Sequence, residues 1–174
     1  MISSIITMEQ IKKYLQFVKK AKSWSLYWRG HKHWVYVSDL AEEIYKLKGG
    51  NFFVIKNAAL LHEVGRVTDG MQKNCSLSSA DLAKEILAFY RIRVDIDCVY
   101  DIIANLDEQE INKELLGYCF LEYIIVKEAD ILTTMLSLGV GYEEIKKMVY
   151  FKDDYDKIYD LAKQKETKEW LKVF

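Results

Sequence analysis

Proline is missing altogether from these 174 residues. Proline breaks helix interiors and stiffens loops, so its absence fits helices joined by short Gly, Ser and Asn turns. Cysteine is scarce: Cys75, Cys98 and Cys119 are odd in number and show no CxxC spacing. They read as reduced thiols in a cytoplasmic protein, filling core or near-surface positions. An excess of charge of one sign is also lacking, with 25 Lys and Arg against 26 Asp and Glu. No field of one sign is available to gather nucleic acid or an anionic membrane, so neither is expected as a partner. No apolar run reaches the length of a bilayer span, and the opening MISSIITMEQIKK has no basic region ahead of a long apolar stretch. Neither a membrane helix nor a secretion signal is expected.

What is present is ordinary globular chemistry, with 51% hydrophobic and 29% charged residues, enough to bury a core without metal or disulfide staples. No repeat, low-complexity tract or linker interrupts the chain, which reads as one domain over residues 1–174. Helical periodicity recurs throughout and predicts an all-α bundle of about six to eight helices. The expected spans are about 8–21, 31–48, 52–63, 78–90, 95–106 and 115–137. Segments 142–150 and 153–172 read as surface or lid-like helices. An aromatic connection, Trp24 to Trp28, precedes Gly30. Gly49-Gly50-Asn51 stops the second helix and caps the third, and Ser78 and Ser79 are expected to cap the fourth after a polar loop at 66–77. Trp170 and Phe174 are apolar residues for sealing the core or a partner surface.

There are three histidines: His31, His33 and His62. His33 stands one turn before Val37 on the stripe Val37, Leu40, Ala41 and Ile44, so its imidazole is expected to point inward. His62 follows Ala58 by four residues on the inner side of its helix, with Glu63 directly after it. A single buried histidine is most often a hydrogen-bonded core residue. Two inward histidines beside a carboxylate form a borderline donor set suited to Mn, Fe, Co, Ni or Zn, with Mg less natural. Asp130 shares a helix face with Tyr123, Lys127, Thr133, Thr134 and Ser137. Its spacing alone reads as a solvated face with Lys127 and Asp130 paired at i,i+3.

Three stretches together carry a resemblance. HWVYVSDLAEEI places a Val four residues and an Ala eight residues after His33, as Val37 and Ala41. After GGN, the run VIKNAALLHEVGR ends in Ala59-Leu60-Leu61-His62-Glu63-Val64-Gly65-Arg66. A later helix holds Glu128-Ala129-Asp130-Ile131-Leu132, and SSADLAKEIL lies between. In order, spacing and context, residues 29–138 resemble the HD-domain superfamily of metal-dependent phosphohydrolases.

The resemblance implies an all-helical fold and a metal shell of His33, His62, Glu63 and Asp130 around one divalent ion. It also implies hydrolysis of a phosphate ester by metal-activated water, the substrate being a nucleotide or a related small phosphorylated metabolite. Arg66, at the basic position after the motif Gly, is the candidate for stabilising phosphate charge. Asp69 is a candidate for orienting water or moving a proton, or else a turn former beside Gly70. Glu63, Arg66 and Asp69 make up the expected catalytic set. Lys127 is a further phosphate-binding candidate and Lys32 a weaker one; His31 is a candidate partner to the metal shell or part of a helix cap.

The family's Asp is Glu63 here, one methylene longer, and its usual arginine before Val37 is Tyr36. No histidine follows His62, and Asn105 occupies the position from which a second metal would draw one, so a single ion is expected. The alternative is a degenerate domain of this kind that binds a nucleotide or a protein partner without turnover. A third reading is a helical scaffold whose histidines belong to the core.

Overall fold

The structure, a computed structural model, describes residues 3–17, 30–66, 75–108 and 113–170. Side chains at 17, 30, 31, 115 and 166–170 are outside that description. The Trp24–Trp28 connection, the first helix beyond 17, most of the 66–77 loop with Asp69, and Phe174 therefore lie outside the described residues. So do the side chains of His31 and Trp170.

Every regular element among the described residues is helical. Helix α1, Met8–Phe17, opens with a reciprocal capping pair. The Thr7 N–H donates to Gln10 Oε1 at 2.9 Å, and the Gln10 N–H donates to Thr7 Oγ1 at 3.2 Å. Helix α2, Gly30–Lys48, buries Val37, Leu40, Ala41 and Ile44. It ends where Gly49 and Gly50 take φ of 79° and 99°, a left-handed conformation that favours glycine. Asn51 then caps α3, Phe52–Leu61, by accepting from the Phe53 and Val54 N–H groups.

This three-residue turn folds α3 back along α2. The N-terminal end of one helix thereby meets the C-terminal end of the other, which brings His33 and His62 together. Buried Asn57 of α3 anchors the start of the chain. It accepts from the Ile6 N–H and donates to the Ser4 carbonyl, each at 2.9 Å.

Helix α4, Cys75–Phe89, begins three residues earlier than the serine caps suggest. Ser78 and Ser79 lie inside it, and its early Ser76 N–H is received by Asp107 at 3.2 Å. The Ser79 hydroxyl serves a tertiary contact instead, accepting from the Gly65 N–H at 3.0 Å. Helix α5, Ile96–Ala104, is capped by Asp95, which accepts from the Cys98 N–H at 3.0 Å.

The single long helix expected at 115–137 is divided. A short α6, Lys113–Leu116, leads into a 3-10 turn at Gly117–Cys119 and then α7, Phe120–Ser137. Gly117 has φ of 47°, which interrupts the α-helical path. Helix α8, Tyr142–Met148, inserts Ile145 into the core. Helix α9, Tyr155–Trp170, buries Tyr155, Ile158 and Ala162 and packs on α2 and α7. Of the two readings, surface or lid-like, these helices take the first: each keeps an exposed side and packs the other on the core. Tyr36 donates to the Ala162 carbonyl at 2.8 Å and Lys165 to the Asp39 carbonyl at 3.1 Å, fastening α9 along α2.

One cluster of buried side chains runs from Ile6 to Ala162, with α2, α3, α5 and α7 at its centre. The expectation of three reduced thiols is also corrected. Cys98 of α5 and Cys119 before α7 form a disulfide, with Cα atoms 5.8 Å apart, while Cys75 is free and buried. Their separation of 21 residues carries no local signature, because helix packing is what brings them together. The pairing removes the cysteine argument for a reducing compartment. No helix among the described residues is long and apolar enough to cross a membrane.

Candidate metal centre

His33 sits in the first turn of α2, His62 caps the C-terminal end of α3, and Asp130 lies two-thirds along α7. One ligand atom from each residue lies within 4.8 Å of the other two. His33 Nε2 is 3.1 Å and His62 Nε2 3.7 Å from Asp130 Oδ1, and the imidazole centroids are 5.3 Å apart. Side-chain exposures of 6% for His33, 3% for His62 and 33% for Asp130 give a floor of imidazole opening to solvent past the carboxylate.

The tautomer of His62 follows from its partners. Nδ1 lies 2.7 Å from the Ala59 carbonyl, and a carbonyl only accepts, so Nδ1 carries the proton. In the neutral ring Nε2 is then a bare lone pair. It is buried and has no hydrogen-bond partner among the described residues. A buried lone pair facing a carboxylate oxygen calls for a cation between them. An imidazole held through its other nitrogen by a backbone carbonyl is the usual preparation of a histidine ligand.

Asp130 is held in place by Thr134, one turn on, whose hydroxyl donates at 3.3 Å. Burial raises the Asp130 carboxyl. The His33 hydrogen bond, the adjacent His62 and His33 rings and the Thr134 hydroxyl outweigh it and leave the group well below the ordinary carboxylate range. Ligand atoms about 2.1 Å from a shared ion lie about 3 Å apart at right angles and further apart at wider angles. The two observed spacings fall in that range. The donor set of two imidazoles and one carboxylate fits Mn, Fe, Co, Ni or Zn.

The remaining predicted residues are arranged less simply. Glu63 lies beside the cluster but outside it: Oε2 is 3.9 Å from His33 Nε2, while Oε1 accepts from Arg66 Nη1. Lys127 does not hydrogen-bond Asp130. Its ammonium donates to the Glu108 carbonyl at 2.6 Å and the Tyr123 hydroxyl at 2.8 Å, and both Lys127 and Tyr123 are buried instead of solvated. Burial lowers its pKa against the raising effect of Asp107, Asp130 and Glu108. Asn105 ends α5, donating to the Asp101 carbonyl at 2.7 Å, while its own carbonyl accepts from Tyr123. Lys32 is exposed. Asp69 lies outside the described residues.

Two supporting groups were not singled out from the sequence. Thr134 was on the Asp130 face, at the i+4 spacing that lets a hydroxyl reach back. The Ala59 carbonyl is backbone chemistry that follows from His62 ending its helix. Comparison with protein-family models, with curated proteins and with solved structures finds no match in any of the three.

Proposed function

We propose that the chain is a metal-dependent phosphohydrolase acting on a phosphate ester of a nucleotide or a related small phosphorylated metabolite. The observation that carries this reading is the convergence of His33, His62 and Asp130 around the unpartnered Nε2 of His62. These three residues would hold one divalent ion, which when bound polarises a phosphoryl oxygen and brings the pKa of its water toward neutrality. The Ala59 carbonyl keeps His62 in the ligating tautomer, and Thr134 keeps Asp130 aimed at the imidazoles. Arg66, linked to the site through Glu63, is the cation available for charge on the equatorial phosphate oxygens. Lys127 contributes chiefly through its field, since two of its three donors already meet Glu108 and Tyr123.

A second reading, a domain that binds a nucleotide or protein partner without turnover, is favoured by one observation. Glu63 is closed onto Arg66 and does not join the convergent set. Metal analysis of protein purified without chelator, combined with a screen of nucleotides and small phosphate esters, separates the two. The phosphohydrolase reading expects one divalent ion per chain and hydrolysis, with both lost in His62→Ala. Bound metal without turnover on any ester, with turnover appearing in Glu63→Asp, would establish the second reading. No metal in any preparation would overturn both.

A further inference from the structure

Glu63 and Arg66 form a pair at the edge of the metal cluster, on a backbone that is tightly held. The turn after α3 is closed by Val64 N–H donating to the Leu61 carbonyl and Arg66 N–H to the Glu63 carbonyl, each at 3.0 Å. Gly65 within it backs directly onto α4, where Ser79 accepts its N–H. A Cβ at Gly65 would lie 2.5 Å from Ser78 backbone carbon. This packing fixes the origin of both side chains. From there, Glu63 bonds Arg66 through one oxygen, with side-chain exposures of 16% and 21%, and stands outside the set whose three ligand atoms all converge. Its other oxygen, 3.9 Å from His33 Nε2, places Arg66 one carboxylate's width from the cluster.

We infer that Glu63 is a positioning residue for Arg66 and not a metal ligand. The site is then a three-ligand centre, His33, His62 and Asp130, with a guanidinium fastened at its rim to receive a phosphoryl oxygen. This inference rests on the metal-site reading above. Its chemical consequence is electrostatic. Two neutral imidazoles and one carboxylate leave a divalent ion with a net positive charge, which a fourth, anionic ligand would cancel. With Glu63 spent on Arg66 and not on the ion, that single positive charge stays on the ion to face an anionic substrate, and Arg66 contributes a planar fork suited to phosphate oxygens.

The test titrates Mn2+ into metal-stripped wild type, Glu63→Gln, Arg66→Ala, the double variant and His62→Ala, with folding checked by circular dichroism. Wild type is expected to bind one Mn2+, and Glu63→Gln to match it within about threefold. His62→Ala should weaken Mn2+ by more than about a hundredfold, beyond the usual range for losing an outer partner of a ligand. Inorganic phosphate is then titrated into the Mn2+-loaded forms. Arg66→Ala should weaken phosphate by about tenfold, the scale of one charge-assisted hydrogen bond. Glu63→Gln should weaken it by about fivefold when Arg66 is present and not at all once Arg66 is Ala, the non-additivity of residues acting as one unit. Loss of Mn2+ by tenfold or more in folded Glu63→Gln, or unchanged phosphate affinity in that variant, would overturn the inference. Wild type that binds no Mn2+ would instead overturn the metal-site reading, and the inference with it.

Discussion

Glu128 has no exposed surface, yet its carboxylate is fully employed. It accepts from the Tyr150 N–H at 2.6 Å and from the Phe151 N–H at 3.4 Å. Burial raises its carboxyl above the ordinary range, and the two backbone donors and the Lys152 and Lys48 charges only partly oppose this. The residue pins the connection between α8 and α9 to α7, two positions before Asp130. Glu128→Ala is expected to destabilise the protein by about 2–4 kcal/mol, because it leaves two N–H groups unpaired and a cavity beneath them. Glu128→Gln keeps an acceptor and should cost less; midpoints of urea unfolding for the two variants measure both. The sequence marked Glu128 only as the neighbour of Asp130. Its partners lie 22 and 23 residues away, beyond the reach of any local pattern. For Lys127, i,i+3 spacing pointed to Asp130, but its ammonium meets Tyr123 one turn back on the same helix and, through tertiary packing, the Glu108 carbonyl.

At the scale of elements, the junction between α3 and α4 depends on the absence of one side chain. Gly65 approaches α4 so closely that a Cβ would meet the Ser78 carbonyl oxygen and the Ser79 nitrogen, both at 2.6 Å. These are backbone atoms, so relief requires moving a helix. Gly65→Ala is expected to lower stability by about 2–4 kcal/mol, read as a fall in thermal midpoint, since overpacking against backbone cannot be relieved by a rotamer change. Element boundaries were legible where the signal was local. Asn51, read as a cap, does cap the helix it precedes through its own side chain. The start of α4 was not, because the donor group there is satisfied by Asp107, in the segment after α5, and not by a neighbouring serine.

Over the whole molecule, the Cys98–Cys119 bond joins α5 to the turn that launches α7, the helix carrying Asp130. Closing a loop of this length is expected to contribute about 3 kcal/mol, chiefly by restricting the unfolded chain. Reduction should therefore lower the thermal midpoint, and a thiol count should rise from one to three per denatured chain. An unchanged midpoint across a verified rise in thiol count would show that helix packing alone holds this junction.

Fold class was determined by sequence alone, because helical periodicity, caps and glycine stops act within a few residues. So was the inward direction of His33 and His62, each of which lies on its own helix's apolar stripe. Tertiary structure decided the rest. It turned the Asp130 face from apparent surface to the wall of a cluster, fastened α9 along α2, and paired Cys98 with Cys119. It also closed Glu63 onto Arg66, at the position where sequence resemblance implied a metal ligand. Each of these depends on distances between residues far apart in the chain or on which of several neighbours a flexible side chain meets, and neither is encoded in local spacing.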